Sequence, residues 1–156
     1  MAWPDEIATE ALARALAQRP ALGRALIELR GDLGAGKTTF ARHLLKSLGV
    51  SGRIKSPTYA VVETYTVIAP GLDTLDNREL VISHFDFYRF NDPREWEEAG
   101  FRDVFASPGL KLVEWPEKAG KHLPQPDLVI AIEMLADATR SVTLTAHTPM
   151  GAELLE

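Results

Sequence analysis

The chain has 156 residues, 46% hydrophobic and 25% charged, a balance that fits one globular domain and excludes a disordered chain or a fibrous repeat. It contains no cysteine, which removes disulfides, thiolate zinc sites and cysteine nucleophiles; its four histidines, His43, His84, His122 and His147, have no zinc-ligand spacing. With 17 Lys and Arg against 22 Asp and Glu the net charge is -5, whereas a surface that grips nucleic acid unaided is normally basic.

At the N-terminus, acids stand where a signal peptide needs basic residues, and no stretch has the apolar length of a membrane span, so a cytoplasmic protein with no membrane contact is expected. Ile7, Ala11, Leu12, Ala15 and Leu16 share one helical face, with Pro4-Asp5 as the cap and Pro20 closing the helix. Ala25–Leu29 reads as a short buried strand that ends at Gly31. Lys37–Leu48 reads as an amphipathic helix with Phe40, Leu44, Leu45 and Leu48 on its apolar face and Gly49 as its stop. Tyr59–Val67 and Leu80–Phe87 read as strands joined by a hairpin tip at Ala69–Arg78. Asp92-Pro93 opens a short helix that Gly100 ends, and Leu110–Trp115 is a further strand. Leu128–Met134 and Ser141–Ala146 pair as a hairpin across Ala136–Thr139, and Met150–Leu155 is a short docking helix. Strands alternating with helices in the first half imply a parallel sheet, and the strand-rich second half adds antiparallel pairs. The expected fold is a single three-layer α/β domain over residues 1–156 with a mixed, partly parallel sheet.

Gly31-Asp32-Leu33-Gly34-Ala35-Gly36-Lys37-Thr38 fits the phosphate-loop pattern G-x-x-x-x-G-K-[ST], with a strand before it and a helix after it. That context makes the domain P-loop NTPase-like. The glycines let successive backbone N–H groups close around phosphate, and the following helix adds the positive end of its dipole. Gly34, Ala35 and Gly36 supply that backbone. Lys37 is expected to reach the β and γ phosphates, the Thr38 hydroxyl to bind Mg²⁺, and Thr39 to hold the α phosphate. The bland alternative is a glycine-rich turn with a chance lysine.

A phosphate loop with Mg²⁺ also needs a carboxylate at the end of a neighbouring strand. Asp86 and Glu114 both end strands, and the pattern does not rank them; strand-end acids also serve as solvated caps. Lys55-Ser56-Pro57-Thr58-Tyr59 stands where a switch-like segment senses the γ phosphate, or forms an ordinary turn. His84 is read as facing away from Asp86 and as structural, and Arg89 as the one arginine near the catalytic edge. The guanine signal N-K-x-D and a D-x-x-G after the loop are both absent, which favours adenine nucleotides, ATP and ADP.

Four blocks taken together, the phosphate loop through Phe40, Lys55-Ser56-Pro57-Thr58-Tyr59, His84-Phe85-Asp86-Phe87-Tyr88-Arg89 and Leu112-Val113-Glu114-Trp115-Pro116, resemble the TsaE (formerly YjeE) ATPases of bacteria. The resemblance runs over nearly the whole chain. It implies a slow ATPase that works with TsaB and TsaD to form the threonylcarbamoyl modification on adenosine 37 of tRNA. It further implies that Thr38 and Glu114 hold Mg²⁺, that Asp86 acts with Lys37 at the hydrolytic centre, and that Glu6 contacts nucleotide. The Val67–Glu79 segment departs from the family pattern by its length. The -5 charge suits a protein that meets tRNA only through its partners. The rival readings are a small-metabolite or nucleotide kinase, which would carry an arginine-rich lid, and a nucleotide-gated binding module.

Overall fold

The computed structural model describes residues 2–3, 5–52, 54, 57, 61–74, 78–90, 94 and 100–156, with side chains from residue 5 onward. Strand β1 (Ala2–Trp3) leads into helix α1 (Glu6–Ala17), whose N-cap Asp5 accepts the Ala8 N–H at 3.2 Å. A 3₁₀ helix (Pro20–Arg24) precedes β2 (Leu26–Arg30), and α2 (Lys37–Ser47) follows the glycine-rich loop. Then come the β3 (Val62–Ile68) and β4 (Glu79–Asp86) hairpin, α3 (Phe101–Ala106) and β5 (Leu110–Glu114). A second 3₁₀ stretch (Pro116–His122), the β6 (Leu128–Met134) and β7 (Arg140–Ala146) hairpin and α4 (Pro149–Leu154) complete the chain.

Among the described residues these strands form one seven-stranded sheet in the order β1-β7-β6-β2-β5-β4-β3. The central four, β6, β2, β5 and β4, are parallel, and β7, β3 and β1 join antiparallel at the flanks. Parallel strands must be covered on both faces, and they are. On one face Leu16, Phe40, Leu44 and Leu45 of α1 and α2 bury against Ile27, Leu29, Ile82, Leu112 and Ile130. On the other, Leu26, Phe85, Phe87, Phe90, Phe101 and Val113 form a smaller core rich in aromatic rings, with Phe85 edge-on to Phe101 at 5.3 Å between centroids. This is the expected three-layer α/β domain.

Several details differ from the expectation. In α1, Thr9, Ala13 and Leu16 point inward while Ile7 is 74% exposed and Ala11 and Ala15 face solvent. Alanines on every side blur the period of this helix, and its packing on α2 sets the face. Pro20 opens the 3₁₀ helix rather than closing α1, which ends at Ala17. Gly100 sits at φ 73° as the N-cap of α3, a helix absent from the sequence reading; of the helix expected before Gly100, Arg94 is helical and the rest lies outside the described residues. Strand β1 was equally unforeseen, since two residues carry no periodicity. The 92–93 cap and most of the Lys55–Tyr59 segment lie outside the described residues.

Candidate functional site

The parallel order brings the C-terminal ends of β2, β5 and β4 side by side, with Leu29 opposite Glu114 and Asp86 opposite Glu114 in register. In open α/β sheets this edge is where ligands bind. The chain leaves β2 at Gly31, where a Cβ would lie 2.4 Å from the Ile132 carbonyl oxygen, so only glycine lets the loop pass β6 so closely. Gly36, at φ 115°, turns the backbone into α2 and offers no side-chain cap. The first N–H groups of α2 therefore face the loop's concavity.

Lys37 is 5% exposed. Its Nζ donates to the Gly31 carbonyl and lies 3.6 Å from the centroid of the Trp115 ring. Burial lowers its pKa from the ordinary value, against the opposing pull of Glu114, Glu117, Asp86 and Asp32. Thr38 Oγ1 donates to Glu114 Oε1 at 2.8 Å, and His84 Nε2 meets Glu114 Oε2 at 2.6 Å. Asp86 is buried beside Glu114 and accepts the Tyr88 N–H at 2.9 Å. Trp115 occupies the left-handed region at φ 57°, ψ 49°, although the following Pro116 favours extended backbone before it. That strained turn is what lays the indole over Lys37 and beside Tyr88, 5.0 Å between centroids.

Gly34, Gly36, Lys37, Thr38, Thr39, Asp86 and Glu114 thus line one cleft of about 280 Å³, together with Leu33, Tyr88, Trp115 and Arg140. Ala35 lies buried behind it and donates its N–H to the Asp32 carbonyl at 3.0 Å. A second hollow of about 250 Å³ opens past Thr39 and Gly36, between Arg140 and the start of α1 at Asp5, Glu6 and Thr9. Glu6 reaches it while bonded through Oε1 to His43 Nε2 at 2.8 Å. A larger hollow, about 900 Å³, lies at the opposite, N-terminal ends of the strands around Lys111 and Asp127. It holds none of the phosphate-loop residues, so size is a poor guide here.

Two residues escaped the sequence reading. His84 does not face away from Asp86: positions two apart on a strand share a face, and both side chains turn toward Glu114's side of β4. Correct use of the period of two would have found it. Arg140 lies 105 residues from the loop in sequence, yet its Nε donates to the Ala35 carbonyl at 2.9 Å. No local motif announces it; the β6–β7 hairpin delivers it. Arg89, the arginine singled out from sequence, is exposed and lines neither the cleft nor the hollow past Thr39.

The donor set suits a hard cation held jointly with phosphate. Mg²⁺ usually takes one or two carboxylates plus substrate oxygens, and Thr38 with Glu114 supplies one hydroxyl and one carboxylate. No cluster of three or more His, Asp or Glu able to hold a metal by itself occurs among the described residues. Among them, too, no helix is long and apolar enough to cross a membrane.

Fold and sequence together define a three-layer α/β protein that carries the phosphate-loop sequence pattern between β2 and α2. A structural match supports this: the crystal structure of Bacillus subtilis YdiB superposes with a TM-score of 0.75 at 29% identity, covering 99% of this chain and 89% of that one. The family described as threonylcarbamoyl adenosine biosynthesis protein TsaE matches residues 3–142, and the chain belongs to that family. It is 40% identical to the tRNA threonylcarbamoyladenosine biosynthesis protein TsaE of Haemophilus influenzae over 130 residues, 83% of this chain and 75% of that protein. To the Bacillus subtilis protein of the same name it is 36% identical over 143 residues, 92% and 81% of the two chains.

Proposed function

We propose that this chain is a Mg²⁺-dependent ATP-binding protein and slow ATPase that acts, with TsaB and TsaD, in forming the threonylcarbamoyl modification on adenosine 37 of tRNA. The observation that carries the nucleotide reading is the convergence of Lys37, Thr38, Asp86 and Glu114 at the uncapped start of α2. The role in tRNA modification rests on family membership, and the two partners on the motif resemblance. The -5 charge and cysteine-free composition agree with a cytoplasmic protein that reaches tRNA through other proteins.

In this reading the phosphates lie in the loop, bonded to the backbone N–H groups of Gly34 and of Gly36 to Thr39, while the Ala35 N–H keeps its bond to the Asp32 carbonyl, with Lys37 on the β and γ groups. Lys37 is already desolvated, so its charge acts at low screening once it exchanges the Gly31 carbonyl for phosphate. A Mg²⁺ ion held here would supply charge neutralisation at the phosphates. Thr38 and Glu114 hold it; Asp86 orients a water and takes its proton as the water oxygen bonds to the γ phosphorus. The bond from that phosphorus to the bridging oxygen breaks, leaving ADP and phosphate. The hollow between Arg140 and Glu6 takes the nucleoside. Hydrolysis is slow because Arg140, the cation at the cleft from β7, is tied to the Ala35 and Ala138 carbonyls.

Calorimetric titration with ATP tests the binding step. Lys37→Ala should weaken binding by about 1.5–3 kcal/mol, roughly 10- to 150-fold, the worth of a hydrogen bond to a charged group. Parent-like affinity would overturn the loop assignment.

A further inference from the structure

We propose that His84 is a positioning residue that fixes the Glu114 carboxylate for metal binding, an inference that rests on the Mg²⁺ reading above. His84 and Glu114 lie on adjacent parallel strands and are each 1% exposed. The two oxygens of Glu114 are divided between two elements. Oε1 takes the Thr38 hydroxyl of α2 at 2.8 Å, and Oε2 takes His84 Nε2 of β4 at 2.6 Å. A carboxylate only accepts, so Nε2 is the nitrogen that carries the proton in this bond.

The other ring nitrogen makes the argument. His84 Nδ1 is the one buried side-chain polar atom without a hydrogen-bond partner among the described residues. As a core residue opposite Leu112 on the neighbouring strand, histidine is then a poor choice, because half of its polarity is stranded where an apolar side chain would cost nothing. What histidine supplies there is a donor to Glu114. With Oε2 anchored, the carboxylate cannot rotate about its last torsion, and Oε1 stays aimed at Thr38. Without the anchor, a buried oxygen loses its partner and the group turns to find another. The Thr38 hydroxyl can leave Oε1 for the metal while the histidine bond stays. His84 touches neither metal nor nucleotide in this role; it acts through Glu114. Outer partners of this kind are worth about 10–100-fold in metal affinity.

The test titrates the full chain with a non-hydrolysable ATP analogue, in excess Mg²⁺ and in EDTA, and reads the ratio of the two affinities. His84→Leu should reduce the Mg²⁺-dependent gain by about 10–100-fold and leave the EDTA affinity unchanged. His84→Gln places an amide N–H where Nε2 stands and should keep the gain within about threefold, whereas His84→Asn places it nearer Nδ1 and should behave like His84→Leu. A merely structural histidine would lower the melting temperature in all three variants and leave the affinity ratio of each unchanged. Should His84→Leu fail to fold, the Gln and Asn pair decides: equal gains overturn the proposal. Glu114→Ala separates the two levels. If it keeps the full Mg²⁺ gain, the metal reading falls and the positioning role with it. If it loses the gain while His84→Leu keeps it, the positioning role alone is overturned.

Discussion

At the scale of single residues, the two strand-end carboxylates occupy neighbouring register positions but different surroundings. Glu114 is bonded to Thr38 and His84, while Asp86 meets the backbone N–H of Tyr88. The difference predicts a split. Glu114→Ala should mainly weaken Mg²⁺-dependent nucleotide binding, and Asp86→Ala should slow single-turnover hydrolysis by about 10²–10⁴ with binding intact. Identical effects on binding and turnover in both variants would contradict the assignment. The glycine-rich loop was legible because its signal is local: four defined positions, Gly31, Gly36, Lys37 and Thr38, sit where one strand gives way to one helix. Arg140 was not, because its contact with Ala35 is made by a hairpin closing 105 residues away. Lys111 is a second buried lysine, held by the Ser107 and Gly109 carbonyls, and burial lowers its pKa below the ordinary 10.5. The unfolded chain therefore binds more protons than the folded one between the lowered value and 10.5, and stability should rise with pH across that window. Urea unfolding at a series of pH values should show this rise to be smaller in Lys111→Met; parallel curves would contradict it.

At the scale of elements, α1 shows where pattern reading stops. Ile7 and Leu16 fit the same helical stripe, yet Leu16 is 2% exposed and Ile7 74%. Leu16→Ala should cost about 2–5 kcal/mol, the range for a buried leucine. Ile7→Ser should stay within about 0.5 kcal/mol of the parent in the same urea titration. A large loss in Ile7→Ser would return that residue to the core. α2 and the hairpins β3–β4 and β6–β7 were legible to within a few residues, since long apolar periods and Gly- or Asp-rich tips mark them. β1 and the 3₁₀ stretches were not, because so few residues carry no period and are fixed only by their neighbours.

At the scale of the molecule, the layer architecture followed from alternation of strands and helices, but the strand order did not. Placing β2 between β5 and β6 requires contacts between residues 85 and 101 positions apart, such as Leu26 with Lys111 and Ile27 with Leu128, which no local pattern encodes. That order is what sets Glu114 and Asp86 beside the loop that leaves β2, so the site exists only in the assembled sheet. The function proposed for this cleft is to bind a nucleotide in the service of tRNA modification. The direct measurement is mass spectrometry of tRNA nucleosides from cells depleted of this protein and complemented with the parent gene or with Lys37→Ala. If the cleft has that function, threonylcarbamoyladenosine should be lost on depletion, recovered with the parent and not recovered with Lys37→Ala. Unchanged modification on depletion, or full recovery with Lys37→Ala, would contradict it.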